Sequence, residues 1–304
     1  MKTLTTHRIQ VVPGRDVATW IQFINENRIH VLQRKPLQLT VDFGEATFIN
    51  AWHVVSLACL IEEYFMEGIQ IKFQLSGVSD SIRLYLEKMS FFRHWEPGTD
   101  RNNFAQDLAE RVMPIWKVDC SRTHFYIDYT RQYYQNNFLL EQDLSPISIV
   151  MAEIFNNIQD HSESKVSGYC LVQYAPNRHE LSVSICDFGV GIPNKINAYR
   201  KQKGEAPIGH EKALMDSVIK GYSTKSTPQN RGLGLDLVLS NVKATNSSLL
   251  IVANEAILRR EESREETAHE GMQNSFLGTH IHLRMDTTNL EKIEKVEGED
   301  ELFS

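Results

Sequence analysis

The chain has 304 residues, a formal net charge of −7 and four cysteines, Cys59, Cys120, Cys170 and Cys186, none in a CxxC pair. That charge argues against a protein that coats nucleic acid, and the cysteine spacing points to free buried thiols. No stretch reaches the ~18 apolar residues of a membrane span; with no apolar centre in MKTLTTHRIQ, the cytoplasm is the expected compartment and no membrane partner is expected.

Residues 1–96 read as a small α/β domain. RIQVV predicts a short strand and Asp16 to Asn27 a helix, followed by LQLTVDF, whose Leu37, Leu39, Val41 and Phe43 alternate as a strand. A helix from about Trp52 to Met66, a strand IQIKFQL and a helix from about Ser79 to Met89 come next, punctuated by Gly68 and Ser76-Gly77. Strands alternating with helices predict a sheet covered on at least one face. Pro97-Gly98 marks a break, and residues 97–143 read as a linker. Within it, VDCSRTHFYIDYTRQYYQNNF holds four of the ten tyrosines, which reads as an interdomain or dimer-interface cluster rather than a base-stacking platform.

Residues 144–288 carry three motifs. In AEIFNNIQDHS, Ser145 and Pro146 predict the helix start, and Ile147, Val150, Ile154 and Ile158 form an inward apolar stripe. Glu153 and Asn157 are four apart and share a face, which His161 continues. DFGVGIP, Asp187 to Pro193, follows LSVSIC, which alternates as a half-buried strand does. STKSTPQNRGLGL ends in Gly232-Leu233-Gly234 at the start of another helix. Each motif alone is common: a solvated helix face, a turn, a tight helix entry.

In this order the motifs resemble the N, G1 and G2 boxes of the GHKL superfamily, which includes gyrase-type ATPases, heat-shock chaperones, histidine kinases and anti-sigma serine kinases. Gly278-Thr279, leading into the alternating IHLRM, matches that family's late Gly-Thr beside the adenine. The resemblance implies a Bergerat-type α/β sandwich that binds ATP and Mg²⁺, with Thr279 and Leu233 among the nucleotide-binding positions. The residue chemistry agrees. Asn157 offers an amide oxygen, a hard ligand suited to Mg²⁺, and Glu153, one turn earlier, can accept a proton from an attacking water or hydroxyl. Asp187 can accept a hydrogen bond from the exocyclic amine that distinguishes adenine from guanine. Gly189 and Gly191 let the chain pass a base closely. Gly232 and Gly234 would bring bare amides and a helix N-terminus to the phosphates, with Lys225 and Arg231 as neutralising cations.

VDFGEATFINAWHVVSLACLIEEYFMEGIQIKFQLSGVSDSIRLYLEKMSFF resembles a STAS domain, the fold of anti-sigma-factor antagonists. The position expected to hold a phospho-accepting Ser or Thr holds Ala51 or Trp52, so the resemblance implies a docking or dimerising module rather than a phosphorylation substrate. NIQDH resembles the Asn-Ala-x-x-His of anti-sigma serine kinases, with Ile158 for Ala and Asp160 where a phosphate-binding cation would stand; His161 reads as a structural hydrogen-bonding residue. His7, His30, His53, His94 and His124 precede no acid, which argues against an orthodox histidine kinase. Asn194 to Asn230 would be the ATP lid. Arg259 to Gly271 reads as a solvated loop, and 289–304 as an acidic tail.

The expected fold is therefore α/β (α+β): an N-terminal STAS-like α/β domain followed by a GHKL α/β sandwich. The leading function is an ATP·Mg²⁺-binding regulator of the serine/threonine-kinase-like or ATPase-switch type, controlling a protein partner such as an anti-sigma or STAS-type regulator. The alternatives are a non-catalytic nucleotide-gated adaptor and a mechanical ATPase, the latter weakened by the lack of a long transducer domain after Thr279. A homodimer is the assembly that the aromatic segment and the family's habit suggest. There is no Gly-Lys pair of a Walker-type loop, no zinc-protease HExxH and no Gly-x-Ser-x-Gly elbow.

Overall fold

The structure is a computed structural model that describes residues 6–14, 16–105, 109–161, 166, 168–219, 234–261 and 268–293. Thr6–Gln10 (β1), Val17–Glu26 (α1), Gln38–Asp42 (β2), Ala51–Met66 (α2), Gln70–Gln74 (β3) and Asp80–Lys88 (α3) alternate along the chain. The three strands pair in parallel in the order β1-β2-β3. Parallel neighbours require crossovers, and α1 and α2 supply them. The helix starts are set by short polar side chains. The Asp16 carboxylate accepts from Thr19 N at 2.7 Å, Asn50 and His53 form a reciprocal capping box, and Ser79 Oγ accepts from Ile82 N.

The rest of the chain builds a five-stranded antiparallel sheet. Its elements are Trp116–Lys117 (β4), Thr123–Asn137 (α4), Ser145–His161 (α5), Tyr169–Ala175 (β5) and Glu180–Asp187 (β6), then Ile192–Gln202 (α6), His210–Ser217 (α7), Leu235–Ala244 (α8), Ser248–Arg260 (β7) and Ala268–Asp286 (β8). The strand order is β4-β5-β6-β8-β7. The architecture is thus mixed α/β, with one parallel and one antiparallel sheet. One face of the antiparallel sheet buries Val172, Val183, Ile185, Ile281 and Leu283 against apolar residues of α4, α5 and α8.

The opposite face is covered by the N-terminal unit. In α2, AWHVVSLACLIEEYFM, thirteen of sixteen residues are buried, as expected for a helix that is apolar all round. It fills the space between its own parallel sheet and the back of β5 and β6, so one continuous core runs from Leu39 and Val41 through Leu57 and Ile61 to Leu171 and Cys186. Here the structure departs from the half-buried expectation for LSVSIC. Ser182, Ser184 and Cys186 on the back of β6 are as buried as Leu181, Val183 and Ile185. Small side chains on that face let α2 approach, and Trp52 stacks on His280 of β8 with ring centroids 3.2 Å apart.

A buried ionic cluster fastens this junction. The fully buried Glu62 carboxylate of α2 receives Lys117 Nζ at 2.8 Å, Tyr169 Oη at 2.9 Å and the Arg101 guanidinium. Residues 97–143, read from sequence as a linker, contribute β4 and α4; Trp116 and Tyr126 stack at 4.0 Å inside the helix-side core. The expected solvated loop 259–271 is shorter than it reads, because Arg259 of β7 pairs with Ala268 of β8. Cys59, Cys170 and Cys186 are buried free thiols and Cys120 is exposed. Among the described residues no helix is long and apolar enough to cross a membrane.

Candidate functional site

Chain direction brings the described motif residues towards the end of β6, past which only β7 and β8 continue the antiparallel sheet. Asp187 ends β6 and is the register partner of Thr279 on β8, whereas Glu180 and Asp286 mark the opposite end. α5 starts near that opposite end, where Asp143 N donates to Glu291 O at 2.8 Å. Over its length of ~25 Å it travels towards Tyr169, which pairs with Cys186 beside Asp187. α8 runs the same line in reverse, since Ala244 leads directly into Ser248, the partner of Arg284 near the opposite end. The C-terminal half of α5, the N-terminus of α8, Asp187 and Thr279 therefore share one rim.

Asp187 is buried, and burial pushes its carboxyl up to about 7, against the pull of backbone N–H groups from Gly189 and Thr279. Gly189 N donates to Oδ1 at 2.7 Å, so the carboxylate orders its own loop. The loop is tightly made. Gly191 has φ +80°, and a Cβ there would lie 2.6 Å from the Asn254 amide. Gly278 has φ +138°, and a Cβ there would overlap the Asp187 carbonyl oxygen. At both positions only glycine avoids strain and collision.

Glu153 and Asn157 are half-buried on α5, while Ile154 and Ile158 point into the core, so the amphipathic reading of this helix holds. Asn157 Nδ2 is buried and makes no hydrogen bond among the described residues. A buried amide end with no partner is costly, and an amide that faces a ligand is one resolution of that cost. Gly234 caps α8, but its N–H donates to Asp236 Oδ1 at 3.0 Å rather than lying bare. A phosphate at this helix start would have to displace that carboxylate or use neighbouring amides. Lys225, Arg231, Gly232 and Leu233 lie outside the described residues, as do the side chains of Asp160 and His161. The expected lid is helical over α6 and α7 before residue 220; within it Arg200 pairs with Glu205 and Lys212 with Asp216.

Two sets of residues around this rim escape a sequence reading. Asn254 sits at a bulge in β7 with φ +51°. Its Nδ2 donates to Val190 O at 3.0 Å and its Oδ1 accepts from Asn194 N at 3.1 Å, tying the 187–191 loop and the start of α6 to the sheet. A lone buried Asn inside SLLIVANEAILRR is a bulge signal that could have found it. The second set comes from the N-terminal unit. Cys59 Sγ donates to Cys186 O at 3.2 Å, and the Arg28 guanidinium lies 3.8 Å over the Phe188 ring. Nothing in the local sequence around Arg28 announces a partner so distant in the chain.

No family model and no curated protein matches the chain. Among solved structures it is similar to the ATPase region of Saccharomyces cerevisiae topoisomerase II, with 15% identity over 49% of this chain and 39% of that one, at a TM-score of 0.28. It is also similar to the B-subunit of the DNA gyrase from Myxococcus xanthus, with 14% identity over 58% of this chain and 44% of that one, at a TM-score of 0.26. The chain spans less than half the length of either.

Proposed function

We propose that the chain binds an adenine nucleotide with Mg²⁺ at this rim and uses the γ-phosphate to switch or phosphorylate a protein partner. The observation that carries the reading is Asp187, a buried carboxylate anchored by two backbone N–H groups beside the glycines of its loop, opposite Thr279, at the end of β6. A carboxylate held this way favours a ligand that donates a hydrogen bond to it, as an adenine amine does. The residues fit the metal as well. The Asn157 amide oxygen is a hard neutral ligand of the kind that completes a Mg²⁺ shell. Its buried nitrogen, without a hydrogen bond among the described residues, would donate to a phosphate oxygen, and the metal would neutralise charge on the triphosphate.

The reaction asks one further thing of the chain. A water or a partner Ser or Thr hydroxyl attacking the γ-phosphorus must lose its proton, and in this reading Glu153, one turn before Asn157, accepts it. ADP leaves, with free phosphate in one case and a phosphoprotein in the other. A second reading, a nucleotide-gated adaptor without turnover, draws support from Asp236, whose carboxylate occupies the Gly234 amide. Turnover of γ-labelled ATP by wild type and Glu153→Gln, with free and protein-bound phosphate resolved, separates the readings. Turnover in wild type, lost in the variant with ATP binding retained, supports catalysis; turnover unchanged in Glu153→Gln removes Glu153 from its role. Tight binding with neither product in wild type leaves the adaptor.

A further inference from the structure

The turn after Asp187 and the stretch of β8 just before Thr279 are braced by one side chain of the N-terminal unit. Arg28 is buried, held by Glu63 of α2 through Nε at 2.8 Å and Nη2 at 2.6 Å. Its guanidinium face covers Phe188, the residue after Asp187, and Nη1 donates at 3.4 Å to the carbonyl of Leu277, just before Gly278-Thr279. One planar cation thus touches the residue after β6 and the part of β8 whose register places Asp187 against Thr279. Beside this contact lies a cavity of about 530 Å³ bordered by Arg28, Phe188, Val190, Tyr199 and Leu277. Phe188 therefore has Arg28 on one side and open space next to it.

We infer that Arg28 is a positioning residue for the nucleotide site, through which docking of the N-terminal unit and occupancy of the site are coupled. The inference rests on the adenine-nucleotide reading above. Arg28 does not reach the ligand; it holds Phe188 and Leu277 so that the Asp187 carboxylate and the Thr279 N–H stay in contact. Coupling of this kind is reciprocal: what tightens the nucleotide tightens the docking by the same factor.

The test uses the full chain as wild type, Arg28→Gln, Phe188→Leu and the double variant. Kd is measured calorimetrically for Mg·ATP and Mg·ADP, and backbone hydrogen exchange is followed with and without ATP. Arg28→Gln keeps a donor at the Nε position for Glu63 but loses both the cation over the ring and the donor to Leu277. It is expected to weaken ATP and ADP by the same factor, on the order of tenfold, because the effect lies at the base end and not at the γ-phosphate. Phe188→Leu should match it, and the double variant should be no weaker than either single one. In wild type, ATP should slow exchange across residues 23–31 as well as 187–191; in Arg28→Gln the slowing should persist only at 187–191. A purely structural brace would lower the melting temperature without moving either readout. Should Arg28→Gln fail to fold, Phe188→Leu decides the same comparison. No ATP binding by wild type overturns the nucleotide reading and the coupling with it. Binding by wild type with an unchanged Kd in folded Arg28→Gln, or in Phe188→Leu where that variant decides, overturns the coupling alone, as does an additive double variant.

Discussion

At Asp187, burial and hydrogen bonding pull in opposite directions, and burial wins. The folded-state pKa of about 7 lies above the ordinary carboxylate value of 3.8. Between those values the folded chain keeps a proton that the unfolded chain has released. The contribution to stability is thus fully present below about pH 4 and is lost as pH rises through about 7. A ligand amine donating to the carboxylate favours the ionised form, so ATP binding should show the reverse trend. ATP is expected to bind about tenfold more weakly at pH 6 than at pH 8, the factor that follows when only the ionised carboxylate binds. Asp187→Asn should flatten both profiles, leaving in the binding curve only the titration of the phosphates. Calorimetry and thermal melts across that range check this; a binding profile identical in wild type and Asp187→Asn would remove Asp187 from the site. Of this rim, the acid, the glycines and the helix face were legible in DFGVGIP and in AEIFNNIQDHS. Asn254 and Arg28 were not, because their roles depend on a bulge and on a contact with Phe188 made far along the chain.

At the scale of elements, α2 decides the arrangement. Its extent and the period-two strands on either side were readable, and β1, β2, β3 and the three helices fall close to where the apolar patterns place them. What α2 covers was not readable. The serines on the back of β6 look like a solvated face, and only the all-round apolar character of α2 hints that a second sheet is pressed against it. Residues 97–143 misled for a related reason: their tyrosines and polar residues lack a clean period, yet α4 buries Tyr126 and Tyr134 completely. The polar exception in α2 is Glu62, whose removal would leave Arg101 and Lys117 facing a buried surface without their counter-charge. Glu62→Ala is expected to cost about 3–5 kcal/mol, read as a fall in the urea midpoint. A midpoint within error of wild type would show that Arg101 and Lys117 find solvent or other partners instead.

For the whole molecule, the continuous core from the parallel sheet through α2 to the antiparallel sheet makes the two units interdependent. Unfolding is therefore expected as one cooperative transition, and a ligand at the sheet rim should raise the stability of the entire chain. The adenine site is the claim on which the rest depends. Thermal unfolding of the full chain with Mg·ATP, Mg·GTP or Mg²⁺ alone, in wild type and Asp187→Asn, tests it most directly. At a hundredfold excess over Kd, ATP should stabilise the wild type by about 2.7 kcal/mol and move a single transition upward by several degrees. GTP, which lacks the exocyclic amine at that edge, should leave it in place, and Asp187→Asn should respond to ATP less than the wild type does. A wild-type transition that ATP does not move, or that ATP and GTP move alike, would contradict the assignment of this rim as an adenine-nucleotide site.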